Sequence, residues 1–347
     1  MTATEIMKMM EDAGSNNGVI FENMIRANLI FRQHHKIVAS ISGGSDSDIV
    51  LDICEKVKGD RDITYVWFDT GIEYQATKDH LKYLEARYGI TIQRIKAIKS
   101  IPTCCREYGI PFVSKYVSEH LERLQRNHFD FTDRPYEELL EKYPRIQSSV
   151  AWWSNIYKVQ DGYSTSMYNI NRNKYLKEFL IANPPDFNIS PKCCTFAKKK
   201  VAHKFRLDSG ADLDVIGVRR AEGGVRSMNY KTCFDCHADA PDSYRPVFWY
   251  TDADKRDYEK AFHIKHSDCY TKYGLKRTGC VGCPFSRNLF EDLKVTKQYE
   301  PKLYKACIAI FGKSYEYTKK YREFRAEMIR KEKNPDQISI SDYMRQL

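Results

Sequence analysis

Two groups of residues in this 347-residue chain have types and spacing that could do chemistry. The first is Ser42-Gly43-Gly44-Ser45-Asp46-Ser47. Paired glycines reach backbone angles closed to other residues and leave room for a ligand against the main chain. If a helix starts there, its unpaired N–H groups and positive dipole end make the turn an anion site. The serine hydroxyls add donors for phosphate oxygens, and a carboxylate tolerates phosphate when a hard cation such as Mg²⁺ lies between them. A second anion element is Arg219-Arg220-Ala221-Glu222-Gly223-Gly224-Val225-Arg226. Arginine forks grip phosphate or sulfate bidentately, which makes Arg219 and Arg226 candidate clamps. Lys115 stands where a helix begins, a poor place for a cation unless it meets an anion, so it is a candidate phosphate contact.

The second group is the cysteines. Cys193-Cys194 precedes a lysine-rich stretch, and Cys280-Val281-Gly282-Cys283 follows far downstream. A Cys-x-x-Cys with flanking glycines lets two thiolates face one metal. The other half of such a site is open between two sets. Cys193 and Cys194 could complete it, or Cys233 and Cys236, the outer residues of Cys-Phe-Asp-Cys, could give a four-thiolate zinc site. Cys54 and Cys307 fall on apolar helix faces and read as small core residues. The roles of Cys104, Cys105 and Cys269 stay open, as do those of Cys233 and Cys236 should the first set be the right one.

The elements that must hold these residues follow from periodicity. Ile37, Val38 and Ile41 read as a short strand, and Ile49, Val50, Leu51, Ile53 and Val57 recur at helical spacing behind it. The glycine turn therefore joins a strand to a helix. A second strand at Ile63–Phe68 with its helix, a third near Thr91–Ala97 and a fourth at Leu213–Val218 continue the alternation. That pattern predicts an α/β fold: a Rossmann-like, doubly wound, mainly parallel sheet, with ligands beyond the carboxyl ends of the strands. The expected organisation is N-terminal helices over 1–33, a nucleotide-binding half over 34–126 and a helical insertion over 127–190. The remaining domain with its cysteines spans 191–290, and a helical C-terminal region spans 291–347. Trp152 and Trp153 in the insertion read as core.

A net charge of +10 suits nucleotide or nucleic-acid ligands and fits a solvated surface equally well. The first residues, MTATEIMKMMEDAG, lack the long apolar run of a signal or anchor, so the expectation is a cytoplasmic protein with no membrane contact. Eleven cysteines in such a chain argue for metal ligation or reactive thiols.

Ser-Gly-Gly-x-Asp-Ser resembles the PP-loop of ATP pyrophosphatases and sulfonucleotide reductases, the adenine nucleotide alpha hydrolase-like superfamily. No Gly-Lys-Ser/Thr follows, so it is not the Walker-type loop. Asp69-Thr70-Gly71 at the end of the second strand is similar to a segment of phosphoadenosine phosphosulfate reductases, as are the strand-to-arginine loop and Arg245–Asp254. The resemblance covers about residues 36 to 290. It implies a nucleotide held by Ser42–Ser47, Asp69, Thr70, Gly71, Arg219 and Arg226. Cys-Cys followed at long range by Cys-x-x-Cys resembles the assimilatory adenylylsulfate reductases, which implies a 4Fe-4S cluster on Cys193, Cys194, Cys280 and Cys283.

The resemblance further implies an enzyme. A PP-loop with this aspartate looks like those that cleave ATP, with Mg²⁺, to AMP and pyrophosphate. With a cluster it resembles enzymes that move sulfur onto nucleic acid. The leading expectation is thus ATP-dependent sulfur transfer with Asp46, Lys115 and Arg219 as catalytic residues, an acceptor such as nucleic acid, and a cysteine desulfurase as partner. The alternatives are an adenylylsulfate or phosphoadenylylsulfate reductase, whose tail cysteine this sequence lacks after Cys307, and a non-catalytic nucleotide-binding redox sensor.

Overall fold

The computed structural model describes residues 1–158, 166–223 and 229–333. The chain forms two compact units. The first comprises Met1–Ile101, Cys194–Val281 and Asp292–Leu303; the second comprises Pro102–Cys193, Gly282–Glu291 and Tyr304–Leu347.

The first unit is built on a six-stranded sheet. Helices α1 (Ala3–Asp12) and α2 (Gly18–Gln33) come first. Thr2 and Glu5 form a capping box on α1, and the Asn17 side chain accepts the Val19 and Ile20 N–H groups at the start of α2. Then follow β1 (Ile37–Ser40), α3 (Ser45–Val57), β2 (Ile63–Asp69), α4 (Gln75–Tyr88) and β3 (Ile92–Lys96). After the long excursion into the second unit the chain returns as a helix, Lys200–Ser209, and then β4 (Leu213–Ile216), β5 (Phe234–Asp235) and β6 (Asp242–Tyr244).

The strand order is β3-β2-β1-β4-β6-β5. Every neighbouring pair is parallel except β5 with β6. Ile37 and Ala39 join the larger core on one face, with Tyr65, Trp67, Leu213 and Val215, while Val38 and Val66 join Ala211 and Phe205 on the other. Strands covered on both faces read as apolar runs rather than alternations, which is why β1 was visible in the sequence. The expected doubly wound, mainly parallel sheet is the one observed. The antiparallel β5 was not expected, since two residues are too few to leave a period.

Successive strands run from β1 out to β3 on one side, and β4 takes the opposite side of β1. The exits of β1 and β4 therefore diverge at a switch point, where open parallel sheets bind ligands.

The second unit is helical. Its helices Lys115–Arg126, Tyr136–Lys142, Gln147–Trp153 and Leu176–Ala182, with the long helix that runs from Pro301 to Lys333, surround Trp152, Trp153, Phe112 and Phe179, all fully buried. The two tryptophans are core, as expected. Among the described residues no helix is long and apolar enough to cross a membrane.

Candidate functional site

The turn after β1 starts with Ser42, whose N–H donates to Ser47 Oγ at 2.9 Å, and its Oγ accepts the Gly44 N–H at 3.3 Å. Gly43 has φ +67°, and a Cβ there would stand 3.0 Å from Thr77 Cγ2 on α4. Only glycine meets both conditions. Gly44 precedes α3 without a side-chain cap, so the helix's first N–H groups depend on other partners. One is the Tyr270 hydroxyl, which accepts the Ser45 N–H at 3.2 Å. On the other flank, Gly217 just beyond β4 packs so closely that a Cβ would lie 3.3 Å from Ser47 N.

Two cations share the Asp46 carboxylate. Arg219 Nε donates to Oδ1 at 2.9 Å and Lys255 Nζ to the same oxygen at 2.7 Å. Arg219 spends Nη1 on Asp252 Oδ1 at 2.8 Å, and Lys255 also reaches Ser45 Oγ at 2.5 Å. The side chains of Arg219, Lys255 and Asp46 are only 9%, 15% and 16% exposed, so these pairs are poorly screened. A half-buried acid-base chain that ends on the buried Asp48 stands behind them. Glu259 Oε1 lies 3.8 Å from Lys255 Nζ and 2.8 Å from His266 Nε2, while His266 Nδ1 lies 2.8 Å from Asp48 Oδ2. Asp48, 1% exposed, meets His80 Nε2 at 3.0 Å through its other oxygen.

At the exit of β2, Asp69 accepts the Gly71 N–H at 2.9 Å and pairs with the Arg94 guanidinium, Nε at 2.8 Å. Gly71 has φ +86°. Thr70, fully buried, donates to Glu73 Oε1 at 2.6 Å. Burial holds the Glu73 carboxyl above its ordinary pKa, against the pull of Lys198. The Cys280 thiol is likewise pushed up by burial, while Lys198 and Thr70, both hydrogen-bonded to it, pull it down. Lys198 interacts with Cys194 as well. The segment that carries Cys280 links the two loops: Thr278 Oγ1 is 3.3 Å from where a Gly44 Cβ would be, and the Val281 N–H donates to Ile72 O at 3.0 Å.

Ser42–Ser47, Asp69–Gly71 and Arg219 thus all line the carboxyl ends of β1, β2 and β4. Lys115 lies in the second unit, exposed, opening its helix after the Ser114 cap. Arg226 lies outside the described residues. The boundary between units falls within Cys193-Cys194 and again within the Cys280–Cys283 motif. Among the described residues no group of three or more His, Cys, Asp or Glu is placed to hold a metal ion. In the rival set, Cys233 is buried with Arg26 Nη1 3.1 Å from its sulfur, whereas Cys236 is exposed. For Mg²⁺ the glycine loop itself offers one carboxylate, Asp46, already paired with two cations, and such an ion would have to enter with the phosphates of its nucleotide.

Sequence reasoning missed Lys255, Glu259, His266 and Tyr270. Lys255 and Glu259 have the i, i+4 spacing of one helix face, but nothing local says that this face meets the glycine loop.

Residues 36–146 match the phosphoadenosine phosphosulfate reductase domain family. An uncharacterized protein of Methanocaldococcus jannaschii is 30% identical over 151 residues, 43% of this chain and 28% of that protein. The chain therefore spans well under half the length of this curated relative. Among solved structures, the phosphoadenylyl-sulfate reductase of Candida auris, in a phosphate complex, is 13% identical with a TM-score of 0.39, covering 77% of this chain and 95% of that one. The U34-tRNA thiolase NcsA of Methanococcus maripaludis, with its [4Fe-4S] cluster, is 12% identical with a TM-score of 0.35, covering 88% and 80%. Likenesses this loose say nothing of what this chain binds. The family match and the sheet with its glycine loop agree: residues 36–146, which supply β1 to β3 and the glycine loop, are similar to the phosphoadenosine phosphosulfate reductase domain, and the sheet they join has the doubly wound, mainly parallel order of a PP-loop-type fold.

Proposed function

We propose that the chain is an enzyme that binds an adenine nucleotide at Ser42–Ser47 and acts on a sulfate anhydride at its α-phosphate, as an adenylylsulfate or phosphoadenylylsulfate reductase does. The observation that supports it is the pairing of Asp46 with both Arg219 and Lys255. A fork and an ammonium beside the helix start suit a sulfate-bearing anion, and they already balance the one carboxylate that an ATP-cleaving loop would offer to Mg²⁺.

Reduction needs a thiol. Cys280, hydrogen-bonded by Lys198 and carried between the two loops, is the candidate. Its thiolate would attack the substrate's sulfur, the sulfur–oxygen bond to the α-phosphate would break, and the adenosine phosphate would leave with the electron pair. A small-molecule or protein dithiol would then attack Cys280 Sγ, releasing sulfite, and its second thiol would free Cys280 and close the dithiol's own disulfide.

A second reading is ATP cleavage to AMP and pyrophosphate that activates an acceptor, such as nucleic acid, for sulfur transfer with a cysteine desulfurase and a 4Fe-4S cluster. Asp46 inside the loop favours it. Sulfite release from either sulfonucleotide with dithiothreitol, abolished in Cys280→Ser, is the expected result. Pyrophosphate from ATP without sulfite, in protein that carries iron and sulfide, would replace the first reading by the second. Nucleotide binding with neither product would leave a redox-sensing binding protein.

A further inference from the structure

His266 stands between two carboxylates, Asp48 Oδ2 and Glu259 Oε1, each 2.8 Å from a ring nitrogen. An ionised carboxylate only accepts hydrogen bonds, so with both carboxylates ionised each ring nitrogen donates and the ring is an imidazolium. The groups that face it are Asp48 from α3 with His80 behind it, Glu259 with Lys255 behind it on the helix Asp252–Ala261, and the Tyr270 ring at 5.9 Å. Burial disfavours the charge, but the hydrogen bonds to Asp48 and Glu259 outweigh it and push the pKa up to about 9. Glu259 is therefore fixed by His266, and at 3.8 Å from Lys255 Nζ it attracts the ammonium without capturing it.

The two cations on Asp46 differ accordingly. Arg219 is committed in a rigid plane to Asp46 and Asp252. Lys255 is a point charge on a flexible stem with three donors, of which Ser45 Oγ and Asp46 Oδ1 take two. Its remaining donor and its freedom to turn suit a ligand at the start of α3.

We propose that Lys255 binds the substrate's anion and that His266 is its positioning residue, acting through Glu259. This rests on the proposed anion site at Ser42–Ser47, in which Lys255 already stands, and adds to it a dependence of Lys255 on His266 through Glu259.

The test is a double-mutant cycle on the full chain, with adenosine 5′-phosphosulfate and ATP as titrants in calorimetry. Binding of either by the wild type keeps the site reading; binding of neither overturns that reading by itself. Given wild-type binding, Lys255→Met is expected to weaken the dissociation constant about tenfold. His266→Asn should weaken it by about fivefold in the wild-type background and not at all in Lys255→Met, because the effect runs through Lys255. Undiminished binding in Lys255→Met, or an equal His266→Asn penalty in both backgrounds, would overturn the proposal. Should His266→Asn not fold, His266→Gln takes its place in the cycle, and nitrogen NMR of wild-type His266 near pH 7.5 decides its charge. Two protonated ring nitrogens are expected, and a single neutral tautomer would refute the positioning role.

Discussion

Asp46 is held by a guanidinium and by an ammonium, and substitution should tell them apart. Arg219→Lys keeps the charge but cannot reach Asp46 and Asp252 from one plane, so nucleotide affinity should fall roughly tenfold, measured by calorimetry. Unchanged affinity would make Arg219 a structural ion-pair partner only. The anion-binding character of Ser42–Ser47 was legible because each residue type contributes locally. What Asp46 pairs with was not: its partners come from the exits of two other strands, and a single sequence does not say which exits share an end of the sheet. The charge of His266 was equally hidden, since it depends on two carboxylates from different helices. With its pKa raised to about 9, His266 gives stability that is fully present below the ordinary histidine value and fades as pH rises through about 9. Thermal melts of wild type and His266→Gln should therefore differ most at neutral and acid pH and converge above pH 9. A gap that widens with rising pH would contradict the assignment.

The strand-to-helix turn is the element that concentrates these charges. Gly43→Ala puts a side chain at φ +67° and 3.0 Å from Thr77 Cγ2. It should cost about 1–2 kcal/mol in denaturant unfolding and weaken nucleotide binding, because the loop must move off α4. The elements themselves were largely readable. β1 and β2 with the helices behind them fall where apolar runs and helical spacing put them, since strands largely covered on both faces leave nearly unbroken runs, whereas β3 at the sheet edge exposes Gln93, Arg94 and Lys96 and left a weaker signal. The short antiparallel β5 left no trace. In the second unit, His120 stacks on Trp152 at 4.8 Å and bonds Ser149 Oγ at 3.0 Å. Burial, helped by Arg123, lowers its pKa to about 4. A depressed histidine gives stability that is full above its ordinary value and is lost as pH falls towards the folded one. Acid melts between pH 6.5 and 4 should thus soften this unit, and His120→Phe should flatten the dependence. A pH-independent wild-type melt in that window would count against it.

Across the whole molecule, the sheet's centre is made by segments that the chain visits long apart. β1 lies between β2, its next strand in sequence, and β4, which arrives only after the excursion through the second unit; Ile37 pairs with both Ile63 and Leu213. The first pairing closes a short loop and the second a very long one, and loop-closure entropy must be met before the contact repays it. This orders assembly in time. β1, β2 and β3 can associate early, whereas β4, and with it Arg219 and Lys255, docks late. Refolding monitored at the β1–β4 pair should therefore lag refolding monitored at β1–β2. Newly made chains would pass through a stage with the glycine turn built but its cations not yet delivered. A ligand that needs both halves would then act as a clasp on the last step of folding, raising the protection of β4 amides from hydrogen exchange more than those of β2.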